Sequence, residues 1–298
     1  MKAWKKVLCF ALCAALVCIA AFLPRGKAEA EENAVRVVRV WNVDTFEGGK
    51  GSRTAFLKKV TRTAEKAREG VYYLVSSYTA EGARAAMSEG IFPDLLSFGI
   101  GLDSAAEYSL PLGLSFPGGK TDGGCLAYPW CQGGYFLFSL DEDFTVQGET
   151  AISCGGSNLV QVAAALAAVS GTEVPSLEAY SGFLSGKYRF LLGTQRDVCR
   201  FSARGVNVCV QPLLAYNDLY QYISVLSAEK REDCEAFIAA LLSQETQEQL
   251  SSIGMYPVTE GEAEYTASVF STPESLEQLR GAARSGEEKN IVKFLKKI

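Results

Sequence analysis

Residues 35–53 read VRVVRVWNVDTFEGGKGSR, and this stretch sets the fold class. Its first nine residues, rich in valine and containing Trp41, form an apolar run of strand length. The run enters a glycine-rich loop, Asp44-Thr45-Phe46-Glu47-Gly48-Gly49-Lys50-Gly51, after which Ser52 stands as an N-cap. Phe56, Leu57, Val60 and Ala64 follow at helical spacing, so a helix is predicted from Ser52 to about Arg68. Residues 71–78 predict a second strand, 80–89 a short helix, and 93–99 a third strand ending on glycine. This β-α-β-α-β order predicts a parallel sheet with helices on its faces.

Beyond this unit the pattern loosens. Glycines and prolines over 110–124 mark a loop, and 125–140 alternate aromatics and glycines as strand, turn and strand around Pro129-Trp130 and Gly133-Gly134. Helices are predicted over 157–170, 176–185 and 229–250, the last with Phe237, Ile238, Leu241 and Leu242 inward. Strands are predicted over 187–192, 206–210 and 220–226, a helix start at Thr272, and an amphipathic end over 290–298. The sequence contains no internal repeat.

Composition narrows the chemistry. The 298 residues include no histidine, which excludes a Ser-His-Asp triad, a Cys-His pair and any histidine metal site. Net charge is −5, and residues 1–30 hold five of the 29 basic residues against one of the 34 acidic ones, so the remainder is more acidic still. Nucleic acid is therefore not an expected partner, since its binding rests on neutralising phosphates. Lys2, Lys5 and Lys6 precede an apolar run, 7–23, and then Ala28-Glu29-Ala30. That pattern predicts an export signal cleaved after Ala30, with an uncleaved membrane anchor as the alternative. Three of nine cysteines lie in it, leaving Cys125, Cys131, Cys154, Cys199, Cys209 and Cys234, whose pairing the sequence does not choose. Cys125 and Cys131 are close enough to close a small loop, while Cys199, Cys209 and Cys234 sit in apolar-patterned segments as buried thiols. No CxxC and no EF-hand spacing is present, so neither metal nor cofactor is expected.

Four stretches, VWNVDTFEGGKGSR (40–53), EGIFPDLLSFGIG (89–101), LAYPWCQGGYFLF (126–138) and AFIAALLSQETQEQLSSIGMYPV (236–258), resemble an extracellular solute-binding protein of an ABC importer. The likeness is to the two-lobed sugar type related to maltose-binding protein. It implies an α/β, two-lobed periplasmic-binding-protein-like fold with mixed sheets flanked by helices and, given the chain length, a reduced second lobe. It implies lobe I from 31–125 plus about 215–298 and lobe II from about 126–214, crossing near 124–130 and 214–224. It also implies a monomer that takes a small solute, carbohydrate among the candidates, to a membrane permease, without catalysis.

Solutes in such proteins sit at the carboxyl ends of strands, where loops and helix N-termini converge. The expected site is therefore the loop with Glu47, Gly48, Gly49, Ser52 and Arg53, together with Phe98, Trp130, Tyr135 and Arg196. Glycines let backbone approach a ligand, Ser52 opens a helix N-terminus, Arg53 offers a planar donor, and the aromatics offer faces. Each has a structural alternative: an ordinary connection for the loop, core packing for Trp130, and lobe support for Arg196 with Asp197. Tyr216, Asp218 and Tyr220 divide between cleft and hinge. Two other functions compete, a carboxylate-dependent extracellular hydrolase and a scaffold or sensor that keeps the fold without a ligand.

Overall fold

Valine-rich Arg36–Val43 is strand β1, and Arg53–Ala67 is helix α1, capped by the Ser52 hydroxyl, which accepts from the Ala55 amide at 3.2 Å. The computed structural model describes residues 35–112, 125–141, 143–144, 148–258 and 272–295. The predicted export signal, residues 1–30, and most of the loop over 110–124 lie outside them. The chain divides into Met1–Arg36 and Val37–Ile298, and the architecture below is that of the second unit.

Strands β2 (Val71–Tyr78) and β3 (Leu95–Gly99) and helix α2 (Ala80–Ser88) complete the predicted opening unit, followed by the short helix α3 (Ala105–Tyr108). With β4 (Tyr128–Gln132) and β10 (Tyr220–Val225) they form a five-stranded sheet in the order β2-β1-β3-β10-β4. β1 and β3 run parallel, as expected, whereas β10 is antiparallel to both β3 and β4. A second sheet has the order β7-β6-β8-β5-β9, from β5 (Tyr135–Ser139), β6 (Thr150–Cys154), β7 (Thr172–Pro175), β8 (Phe190–Thr194) and β9 (Cys209–Pro212). β6 lies parallel to β7 and β8, and β5 antiparallel to β8 and β9. Both sheets are mixed and carry helices, giving the expected α/β class, and the second has as many strands as the first.

The chain thus leaves the first sheet at Gly133-Gly134, later than the expected 124–130, because Tyr128–Gln132 still pair with β10. It returns over 213–219. Helix α4 (Val160–Leu166) is shorter than expected, and Ala168 follows it with φ of 54°. Helices α5 (Ser176–Leu184) and α6 (Gln195–Arg204) flank β8 in sequence, α6 being closed by a capping box of Thr194 and Asp197. The predicted helix over 229–250 is three pieces: α7 (Arg231–Leu241), α8 (Gln244–Glu248) and a 3-10 turn, Gln249–Ile253. Ser243 causes the break, accepting from the Thr246 amide as a new N-cap. Helices α9 (Pro273–Arg284) and α10 (Glu288–Leu295) pack against α4, beside the second sheet, and not on the first sheet alone as expected of the C-terminal segment. All six cysteines of the described residues are free thiols, Cys125 and Cys131 included.

The first sheet buries Val38, Val40, Leu95, Ile223 and Val225 against α1 and α7, and the Tyr73 hydroxyl donates to the Asp233 carbonyl at 2.7 Å. The same face holds a buried polar knot. Ser97 donates to Asn42 Oδ1 at 2.9 Å and accepts from Trp130 Nε1 and Gln221 Nε2, each at 3.1 Å. Asn42, Ser97, Trp130 and Gln221 are all 0% exposed, so each lost bond leaves a group that water cannot reach. The knot ties β1, β3, β4 and β10 into one register. Ser97→Ala is expected to lower unfolding free energy by about 1–3 kcal/mol, seen as a lower urea midpoint at unchanged slope, because it orphans the indole N–H. An unchanged midpoint would show that the knot carries no stability.

Candidate functional site

A pocket of about 460 Å³ opens where strand ends and helix starts converge. Asp44 and Thr45 reach it from the end of β1, residues 77–81 from the turn between β2 and α2, and Ser157 from the segment before α4. Its lining residues include Ser77, Thr79, Ser157 and Tyr78 with their hydroxyls and the acidic Asp44 and Glu81, without a lysine or arginine among the described residues, while the Thr45 hydroxyl is buried. Tyr78 stacks on Trp41, ring centroids 4.1 Å apart, which fixes the ring on the pocket's side of the sheet. The N-terminus of α2 already carries its own capping groups: Thr79 Oγ1 accepts from the Gly82 amide at 3.0 Å, and Glu81 occupies the first turn. Two smaller-mouthed features lie apart, one of about 270 Å³ beside Cys199, Met255 and Tyr256, and one of about 430 Å³ between α4 and α9–α10.

The expected site residues divide into three groups. Phe98 and Trp130 are 0% exposed and belong to the core, Trp130 stacking on Phe56 at 5.9 Å. Arg53, 2% exposed, also turns inward: its Nε meets Asp44 Oδ1 at 2.8 Å, Nη2 donates to the Phe46 carbonyl, and its plane lies 4.1 Å over the Phe46 ring. It shapes the loop over 44–51 from beneath, while Ser52 caps α1. Gly49 lets that loop lie against the turn after the 3-10 helix, since a Cβ on it would stand 2.1 Å from the Gly254 carbonyl oxygen, whereas a Cβ on Gly48 would make only ordinary contact, 3.5 Å from the Gly51 carbonyl oxygen. The Lys50 and Gly51 amides then donate to the Ile253 carbonyl at 3.0 and 3.2 Å.

Glu47 and Arg196 form the second group, brought together as an ion pair between the loop and the N-terminus of α6. Gln195 reinforces it, its Nε2 donating to the Glu47 carbonyl at 2.8 Å. The Ser157 amide donates to the Thr45 carbonyl at 3.1 Å, so the loop is grasped from the second sheet at two points. Sequence reasoning missed Ser77, Tyr78, Thr79, Glu81 and Ser157. The first four stand at the junction of the second predicted strand with its helix, the same kind of position that drew attention to residues 44–53.

Tyr135 is the third group. Its hydroxyl donates to Asp218 Oδ1 at 2.5 Å and accepts from the Leu159 amide at 3.0 Å, and that amide also donates to Asp218 Oδ2 at 3.0 Å. Asp218 is 2% exposed, and burial pushes its carboxyl up to about 6 against these bonds. A raised carboxyl could suggest an acid catalyst, but both oxygens are engaged, Oδ1 by the Tyr135 hydroxyl and Oδ2 by the Leu159 amide ahead of α4. Burial likewise raises Cys131 and Cys234, and Cys154 up to about 11, so these thiols stay protonated at neutral pH. Among the described residues no group of three or more acids or cysteines could hold a metal.

No protein-family model and no curated sequence matches the chain. Solved structures do resemble it. The sugar-binding protein MalE from the phytopathogen Xanthomonas citri aligns with a TM-score of 0.58 at 14% identity, over 88% of this chain and 98% of its own. The maltodextrin binding protein MalE1 from L. casei BL23, without ligand, gives 0.55 at 14%, over 87% and 98%. A chitin oligosaccharide binding protein gives 0.53 at 15%, over 87% and 97%. The chain therefore has the two-lobed fold of periplasmic-binding proteins.

The Asp218 carboxyl gives a pH signature. The folded state holds its proton more tightly than the unfolded chain, where the ordinary value is 3.8, so this group costs stability as pH rises from about 4 to about 6 and adds no further slope above. Asp218→Asn can still accept from Leu159 and meet Tyr135. Its stability relative to the parent is expected to improve by about 2 kcal/mol between pH 4 and pH 7 in denaturant titrations. A difference independent of pH would refute a buried, titrating Asp218.

Proposed function

We propose that this chain captures a small hydroxyl-rich solute in the pocket between Asp44, Tyr78 and Ser157 and delivers it to an ABC permease, without chemistry. The observation that carries this is the lining itself: hydroxyls, two carboxylates and one tyrosine at the carboxyl ends of strands, with no lysine or arginine among the described lining residues. Hydroxyl and carboxylate oxygens accept from sugar hydroxyls while the ring covers an apolar sugar face. An oxyanion would meet the Glu81 carboxylate, an Asp44 already paired with Arg53, and a helix N-terminus already capped. The structurally similar proteins that bind sugar, maltodextrin and chitin oligosaccharide support the same class. In this proposal lobe I holds the first sheet and lobe II the second, with Gly133-Gly134 and 213–219 as the hinge. Residues 1–30 place the protein outside the membrane, by a cleaved signal or as an anchor, and the protein works as a monomer. Glu47, Gly48, Gly49, Ser52, Arg53 and Arg196 shape and close the site, with Phe98, Trp130 and Tyr135 packed behind it.

One observation favours a second function, a scaffold that keeps the fold without a solute: the loop over 44–51 is already bonded to the second sheet by the protein's own residues. A thermal-shift panel separates them. Maltooligosaccharides or chitooligosaccharides are expected to raise Tm in proportion to the logarithm of concentration, and molybdate and phosphate to leave it unchanged. Ser157→Trp, at a half-buried position whose backbone bond is kept, should abolish the shift by filling the pocket. A panel in which no sugar moves Tm would favour the scaffold.

A further inference from the structure

We infer that Gln195 and Arg196, at the start of α6, form a latch that holds the two lobes closed without any solute. The inference rests on the fold and on no solute's identity. Gln195 is 1% exposed and uses both ends of its amide, one at the start of β5 beside it and one across the seam. Its Oε1 accepts from the Gly134 amide at 3.0 Å, on the crossing segment, and its Nε2 donates to the Glu47 carbonyl on the lobe I loop. The neighbouring Arg196 adds the ion pair to the Glu47 side chain. A Cβ at 133 would stand 2.3 Å from Gln195 Oε1, so a side chain there would push the amide aside. The crossing segment lies close against this one amide. A few residues away, the Ser157 amide closes on the Thr45 carbonyl, so one loop is held at both ends.

The consequence is a closed state that needs no ligand to neutralise its facing groups. Opening exposes a buried amide's partners, an N–H and a carbonyl, and separates a half-exposed ion pair. In a protein whose lobes close on a solute, such a latch shifts the solute-free population toward the closed form and taxes entry of the solute accordingly.

Peptide-resolved hydrogen exchange on the solute-free full chain tests this. The Ser157 amide, bonded to the Thr45 carbonyl across the seam, reports opening, and those of β3 and β8 report unfolding. The parent is expected to protect Ser157. Glu47→Ala and Gln195→Ala should each speed exchange at Ser157 by about tenfold, the scale of one buried hydrogen bond with its partner left unmet, without changing β3 or β8. Pairing Glu47→Arg with Arg196→Glu should recover protection lost in either single variant, and raising salt should speed exchange in the parent. If Gln195→Ala does not fold, Glu47→Ala, at a partly exposed side chain, carries the test. Unprotected Ser157 in the parent, or unchanged exchange in Glu47→Ala, would overturn the latch.

Discussion

A carboxyl group that is 2% exposed sits where the chain passes between its two sheets, and the joint is organised around it. Asp218 lies in the returning pass, over 213–219, and Tyr135 starts the first strand after the outgoing pass; both converge on the Leu159 amide ahead of α4. A helix N-terminus needs acceptors, and a buried carboxylate needs donors, so each satisfies what burial would otherwise make costly. Because the helix and Tyr135 belong to the second sheet's side and Asp218 to the returning pass, this small cluster ties that pass to the start of the second sheet. The other contacts between the lobes depend on that placement.

With the lobes so placed, two kinds of surface face each other. At one end, the loop over 44–51 meets the start of α6 through Gln195 and Arg196, and its other side lies so close to the Gly254 backbone that glycine is required at 49. At the other, the β2–α2 turn and Ser157 stand apart and leave the hydroxyl-lined pocket. The closed end supplies geometry and the open end supplies chemistry. Arg53, buried between them, converts the loop's acidic residue Asp44 and its Phe46 carbonyl into a fixed wall.

Much of this was legible in the sequence where periodicity is the whole signal. The valine run, the Ser52 cap and the stripe Phe56, Leu57, Val60 and Ala64 specified β1 and α1 because a buried strand and an amphipathic helix differ in period. The break of α7 at Ser243 was not legible, since a serine within an apolar stripe is read as surface until its side chain is seen capping Thr246. Likewise Trp130 and Arg53 have the composition of a ligand site, but their partners Ser97 and Asp44 are distant or ambiguous in sequence, and only packing shows them turned inward. The Glu47 and Arg196 pair spans 149 positions, a separation at which a sequence offers two charges and no reason to join them.

The central claim is that a solute occupies the open end of this seam. A crystal structure of the full chain with the sugar that most raises its Tm tests it directly. The account predicts ligand density between Asp44, Tyr78 and Ser157, with the sugar face on Tyr78 and the Gln195 amide still bonded to the Glu47 carbonyl. Density beside Cys199 and Tyr256, or between α4 and α9, with the seam pocket empty, would contradict it.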